Sequence, residues 1–222
     1  MTSTVEGQWP APPLTVQDPP QSTPDQPANH FYWYLSRTTS MAAYILLFIS
    51  VCLGLGMRLP VLDRSLGRWR SLDLHQFTAL LAMVLLGVHV FSLLGDAYFH
   101  LGFRELLVPG AAPYRPFWTE IGVIGFYLSL AVGLTVYIRR FIGNRVWRVL
   151  HYLAFIVFIL SLLHGIRGGT DSSAAWAQWL YISTGTVATF LFLWRFLLGP
   201  GVSQPSRDRG NGLLSGRKAA AA

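Results

Sequence analysis

Four of the six histidines in this 222-residue sequence, His75, His89, His151 and His164, fall inside or at the edge of long apolar stretches. An imidazole moved into hydrocarbon without a partner costs on the order of a few kcal/mol, so histidines in such places point to a function before they point to packing. His75 and His89 are 14 residues apart. That is about 21 Å along a helix axis, and at about 100° per residue the second ring returns to within about 40° of the first. His151 and His164 are 13 residues apart on another stretch, about 20 Å along its axis. If the two helices run in the same direction, the four rings form two pairs at matched heights, His75 with His151 and His89 with His164.

Two parallel helices with ligands at matched heights can clamp a planar metal macrocycle at each level, one imidazole on either side of each iron. The expected cofactor is therefore haem, two groups per chain, one near each membrane surface. With both axial positions filled, the iron suits electron transfer better than binding of a substrate. A zinc or copper site built from both histidines of one helix fails on distance, since bonds of about 2 Å cannot span about 20 Å. Polar packing against Ser or Thr, and a histidine proton path, are the competing readings. One feature resists the geometry. Thirteen residues of ideal helix turn His164 about 140° away from His151, which demands a local distortion of that helix.

The elements that must carry these rings are transmembrane helices. Hydrophobic residues make up 52% of the chain and charged residues 12%, a balance suited to a lipid-facing surface. Five stretches reach spanning length: Met41–Met57, His75 to about Gly95, about Trp118 to Ile138, about Val149 to Ile166, and about Trp176 to Leu198. Arg58, Arg64, Arg68 and Arg70 follow the first stretch, and Arg139, Arg140, Arg145 and Arg148 crowd a ten-residue loop after the third. These basic loops mark the cytoplasmic side. The fold class is thus an all-α integral membrane protein, a bundle of about five transmembrane helices with the amino terminus outside and the carboxyl terminus inside. The second and fourth helices then run the same way, as the pairing requires.

Three regions follow: a polar, Pro-rich disordered arm at 1–40, the helical domain at 41–198, and a disordered cytoplasmic tail at 199–222. The arm has no basic opening region and does not resemble a cleaved signal peptide. The segment from Asp96 to Phe117 breaks at Pro109-Gly110 and is rich in aromatics, which suits a short interfacial helix on the outer face. Gly122, Gly125 and Gly133 would let a neighbouring helix or a flat ring approach the third span. Net charge is +7, but its arginines sit in loops and tail, so it reads as topology and not as nucleic-acid binding. Cys52 is the single cysteine and no C-x-x-C-H motif occurs, so any haem is held without covalent attachment, as haem b. His30 and His100 lie outside the spans and have no counterpart at matched spacing.

The segments LHQFTALLAMVLLGVHVFSLL and GNRVWRVLHYLAFIVFILSLLHGI, the second with W-R-x-L-H followed by another His, resemble the ferric-reductase-like transmembrane domain. That family takes in ferric reductases, NADPH oxidases and the bacterial membrane subunit of the periplasmic methionine sulfoxide reductase system. The resemblance covers roughly 41–198. It implies that His75 and His151 hold an inner haem and His89 and His164 an outer one, and that the 13-residue spacing is tolerated. Arg70 and Arg148 lie beside the inner ligands and are candidates for pairing with haem propionates, as are Arg68 and Arg145; their alternative role is as positive-inside residues. Arg104, Arg115 and Arg167 are outer-side candidates for the same task or for docking an acidic partner.

Family members with an FAD- and NADPH-binding domain continue well past the last span, whereas only about two dozen residues follow it here, and no strand-G-x-G-x-x-G-helix unit occurs. The expected function is therefore that of an electron-carrying subunit. Electrons would come from a cytoplasmic flavin reductase or membrane quinol and leave to an external reductase subunit or ferric chelate. FMN is a further candidate cofactor, and a bacterial inner membrane is the implied home. A stand-alone ferric or oxygen reductase, and more remotely a proton or ion pathway, remain as alternatives.

Overall fold

The computed structural model describes residues 31–57, 67–96 and 101–198, and their regular structure is entirely helical. Helix α1 spans Phe31–Gly56. Helix α2 spans Arg68–Ser92 and tightens into a single 3-10 turn at Leu93–Gly95. The short α3, Phe103–Leu107, is followed by α4 at Pro116–His151, α5 at Leu153–Gly168 and α6 at Ala175–Leu193, which widens into a π turn at Trp194–Leu198.

Four uninterrupted helical stretches are long and apolar enough to cross a membrane, one of them the 53 residues Pro116–Gly168. Straight, that stretch would reach about 80 Å, far beyond a hydrocarbon core of about 30 Å. It is folded in two. Gly143 adopts φ 75°, ψ 162° inside α4, a conformation open essentially to glycine alone. Beyond it the chain turns back, so that the His164 ring of α5 lies 2.8 Å from the Trp118 carbonyl near the start of α4. The chain therefore makes five crossings and is an all-α multi-pass membrane protein.

Two boundaries differ from the sequence expectation. Helix α1 begins at Phe31, ten residues before Met41, so residues 31–40 belong to the helical domain. Their hydroxyls do not break the helix because they bond back along it: Thr38 Oγ1 donates to Tyr34 O at 2.8 Å, Thr39 Oγ1 to Leu35 O at 2.6 Å and Ser40 Oγ to Arg37 O at 2.9 Å. The ten-residue loop expected from Arg139 to Arg148 is replaced by helix on both sides of Gly143, since one glycine in a positive-φ conformation achieves the reversal. The remaining parts of the arm and tail, Arg58, Arg64, His30 and His100 fall outside the described residues. The short helix anticipated between Asp96 and Phe117 is α3, which ends before Pro109; the Tyr127 hydroxyl of α4 donates to Leu107 O at 2.8 Å and ties it down.

Helices α1 and α2 pack antiparallel, and α4 packs antiparallel on α5. The two hairpins are joined where α1, α5 and α6 meet around Tyr44, Val51, Phe158, Ala177, Tyr181 and Ala188. Phe158 is 1% exposed at the centre of this cluster, stacked on Tyr44, whose hydroxyl bonds Thr184 Oγ1 across to α6 at 2.5 Å. Small residues permit the close approach: a Cβ on Gly165 would lie 2.8 Å from the Tyr181 hydroxyl, and one on Gly185 would lie 3.2 Å from Leu162. Phe77, Leu80, Leu134, Val149, Ile182 and Phe190 project outward and exposed. In water such a surface would aggregate; in a bilayer it is the lipid-facing wall. Trp69, Trp176 and Trp194 stand exposed near helix ends, where indoles suit the lipid–water interface.

Candidate functional site

Each of the two histidines of α2 is seated against a serine of α1. His75 Nδ1 lies 2.9 Å from Ser50 O and 3.0 Å from Ser50 Oγ. His89 Nδ1 lies 3.0 Å from both Ser36 O and Ser36 Oγ. The two serines are separated by the same 14 residues as the two histidines, so one antiparallel register satisfies both contacts. A carbonyl only accepts, so Nδ1 donates in both cases and each neutral ring keeps its lone pair on Nε2.

On the other hairpin, His164 Nδ1 donates to Trp118 O at 2.8 Å. The glycines singled out in the sequence explain how the ring fits there. A Cβ on Gly122 would lie 2.6 Å from His164 Nδ1, so only a glycine lets this imidazole lie flat on α4. Gly125 packs against Leu160 and Gly133 against Met83 of α2, which makes both helix-packing glycines. His151 differs from the other three: its buried Nδ1 has no hydrogen-bond partner among the described residues, and its ring is stacked on Trp147 at 5.0 Å.

The tertiary structure brings the His75 and His151 rings together and places His164 in the neighbourhood of His89. The His75 and His151 ring centres are 5.9 Å apart with planes at 81°, and His89 lies within electrostatic range of His164. Imidazole nitrogens bond first-row metals at about 2 Å, so two rings on opposite sides of one metal have centres roughly 6 Å apart. The donor set would suit a haem on a second count. Ligating imidazoles characteristically give their other N–H to a carbonyl, which fixes the tautomer and strengthens the ligand, and three of the four rings do so. Among the described residues no cluster of three or more His, Cys, Asp or Glu could hold a metal ion by protein ligands alone.

A distortion that relieves part of the 13-residue offset lies beside His151, where Tyr152 N is shared between Arg148 O and Val149 O. The helix is interrupted at Tyr152, where Tyr152 N reaches Val149 O at 3.2 Å and Phe155 N reaches Tyr152 O at 3.0 Å. Both bonds close i to i+3 turns. At about 120° per residue instead of about 100°, three residues of this tighter winding add about 60° of rotation. The added rotation is in the sense that carries His164 back toward the face of His151.

The arginines are less closely engaged. Arg70 is exposed at the start of α2, and Arg148 is exposed with Nε donating to Asn144 O at 3.3 Å. On the opposite side Arg115 Nη1 donates to Arg167 O at 2.6 Å, the Arg167 guanidinium lies over Trp118, and both arginines line a cleft with Phe117 and Ser172. Arg104 is exposed on α3. Sequence reasoning passed over Ser36, Ser50, Trp118 and Trp147. For the serines the interval is legible once α1 is known to start at Phe31: Ser-x13-Ser of α1 repeats His-x13-His of α2. Trp118 offers a main-chain carbonyl, which no side-chain pattern encodes.

A comparison with individually curated proteins found no match. The family model described as ferric reductase like transmembrane component matches residues 39–162, more than half of the chain. The match takes in His75, His89 and His151 and stops two residues before His164. With five apolar crossings, paired intramembrane imidazoles and that match, the chain belongs to the ferric reductase like transmembrane family.

Proposed function

We propose that this chain is a di-haem b-type membrane cytochrome, the membrane subunit of a reductase system. It would carry electrons from a cytoplasmic flavoprotein or membrane quinol to an external acceptor. His75 and His151 would hold one haem and His89 and His164 the other. The single observation that supports this reading is that His75 and His151 meet with ring centres 5.9 Å apart, while Nδ1 of His75, His89 and His164 each donates to a main-chain carbonyl, which leaves Nε2 free to bind metal. When bound, the haems would supply one-electron chemistry. The chain's own contribution is positional. Ser36, Ser50 and Trp118 orient rings through main-chain carbonyls, Gly122 lets His164 approach α4, and the tight turn at Tyr152 removes part of the rotational offset between His151 and His164. The arginine-bearing reversal between α4 and α5 is assigned to the cytoplasmic side, which makes the His75/His151 pair the inner one.

The test is haem quantitation on detergent-purified protein together with oxidised and dithionite-reduced visible spectra. The expected result is about two low-spin b-type haems per chain. Folded, inserted protein without haem sinks the reading.

A further inference from the structure

Three of the four intramembrane imidazoles are held by a hydrogen bond from Nδ1 to a main-chain carbonyl. His151 is not: among the described residues its buried Nδ1 has no hydrogen-bond partner, nor has the indole Nε1 of Trp147, one helical turn earlier. The two rings lie nearly parallel, 22° apart in plane and 5.0 Å apart in centre. The Arg139 guanidinium lies over Trp147, with Cζ 4.3 Å from the ring centre. Arg139 is placed there by the chain reversal. It precedes Gly143 while Trp147 follows it, and its Nε donates to Asn144 Oδ1 at 2.8 Å. The result is a stack of guanidinium, indole and imidazole.

We infer that Trp147, braced by Arg139, is the positioning residue for His151, with ring stacking taking the place of the carbonyl that fixes the other three histidines. Stacking constrains the ring plane but leaves the Nδ1 proton unassigned, so His151 is the ligand with the least defined tautomer. The Arg139 guanidinium over the indole face braces Trp147 by cation–π attraction. The His75/His151 pair is then the weaker of the two ligand pairs and the one whose strength depends on an aromatic residue. This inference rests on the proposed haem function for its holoprotein consequences, but its tautomer consequence stands without haem.

Two measurements test it. In haem-free protein, imidazole 15N spectra are expected to show His75, His89 and His164 as single Nδ1–H tautomers and His151 as a mixture, with Trp147→Leu shifting only the His151 signals. In holoprotein, Trp147→Leu is expected to lower haem affinity at the His75/His151 pair on the order of 10-fold, the effect of losing an outer partner of a metal ligand. It should also alter the low-spin EPR signal of that haem, which reports the 81° angle between the two rings. Trp147→Phe, which keeps a stacked ring, should restore both, so that loss on misfolding is told apart from loss of positioning. A single His151 tautomer, or His151 15N signals unmoved by Trp147→Leu, overturns the inference whether or not haem binds. In protein that does bind two haems, an unchanged EPR signal and affinity in Trp147→Leu overturn it as well. Absence of haem from the parent protein instead defeats the proposed function and leaves the 15N result to decide this one.

Discussion

At the scale of single residues, the imidazoles are arranged by their Nδ1 partners. Because the partners of His75 and His89 are chiefly carbonyls, serine side chains are secondary: Ser50→Ala or Ser36→Ala removes a hydroxyl oxygen at 3.0 Å but leaves the main-chain acceptor. Either substitution is expected to lower haem affinity at its own pair by about ten-fold or less, near the lower edge of what outer partners contribute; haem titration of the purified variants measures it. Removing a ring is a different matter. His89→Leu should take haem content from about two per chain to about one and leave the spectrum of the His75/His151 pair, because the two levels are about 21 Å apart along the helix. Loss of both haems from inserted protein would contradict independent sites.

At the scale of elements, two glycines set the α4–α5 hairpin. Gly143 carries the reversal at φ 75°, ψ 162° with open space around its Cβ position, so Gly143→Ala meets backbone strain without a clash. The expected cost is about 1–3 kcal/mol, seen as a lower thermal midpoint in detergent. Gly122 is the converse: its backbone is helical, but a Cβ would collide with the His164 ring at 2.6 Å. Gly122→Ala should therefore drive His164 off the Trp118 carbonyl and lower haem content at the His89/His164 pair while sparing the other. Equal loss at both levels would mean that the hairpin had rearranged as a whole.

At the scale of the whole molecule, five crossings put the Arg139–Arg148 reversal and α3 at opposite ends of the bundle. On the proposed topology the arginine-rich reversal is cytoplasmic. With Cys52 as the single native thiol, a Cys52→Ser background isolates introduced cysteines. Arg145→Cys is expected to react with a membrane-impermeant thiol reagent only from the cytoplasmic side, and Arg104→Cys only from the external side; both positions are exposed. The reverse pattern would invert the direction of electron flow. The weld between the hairpins lies along α1, α5 and α6, with Arg37 of α1 paired to Asp171 in the connection between α5 and α6, so the two ligand-bearing helices are aligned mainly through α1 and not by direct packing on each other.

Much of this was legible in the sequence because lipid constrains a chain severely. A backbone in hydrocarbon must be helical, a span needs about 20 apolar residues, and a histidine within one needs a reason to be there. Those rules are local, and they sufficed for the all-helical membrane fold and for singling out the four rings as candidates. The helix start at Phe31 escaped them because Thr38, Thr39 and Ser40 look like breakers until their bonds to earlier carbonyls are seen. The single-glycine reversal escaped them because composition cannot tell a loop from a helix interrupted at one φ angle. Only the tertiary structure decided the tautomers, since a carbonyl presented by a neighbouring helix depends on register, and every residue type carries one. The same holds for the stack on His151: Arg139, Trp147 and His151 occupy one column only because Gly143 folds the chain back, bringing a side chain from before the turn onto one from after it.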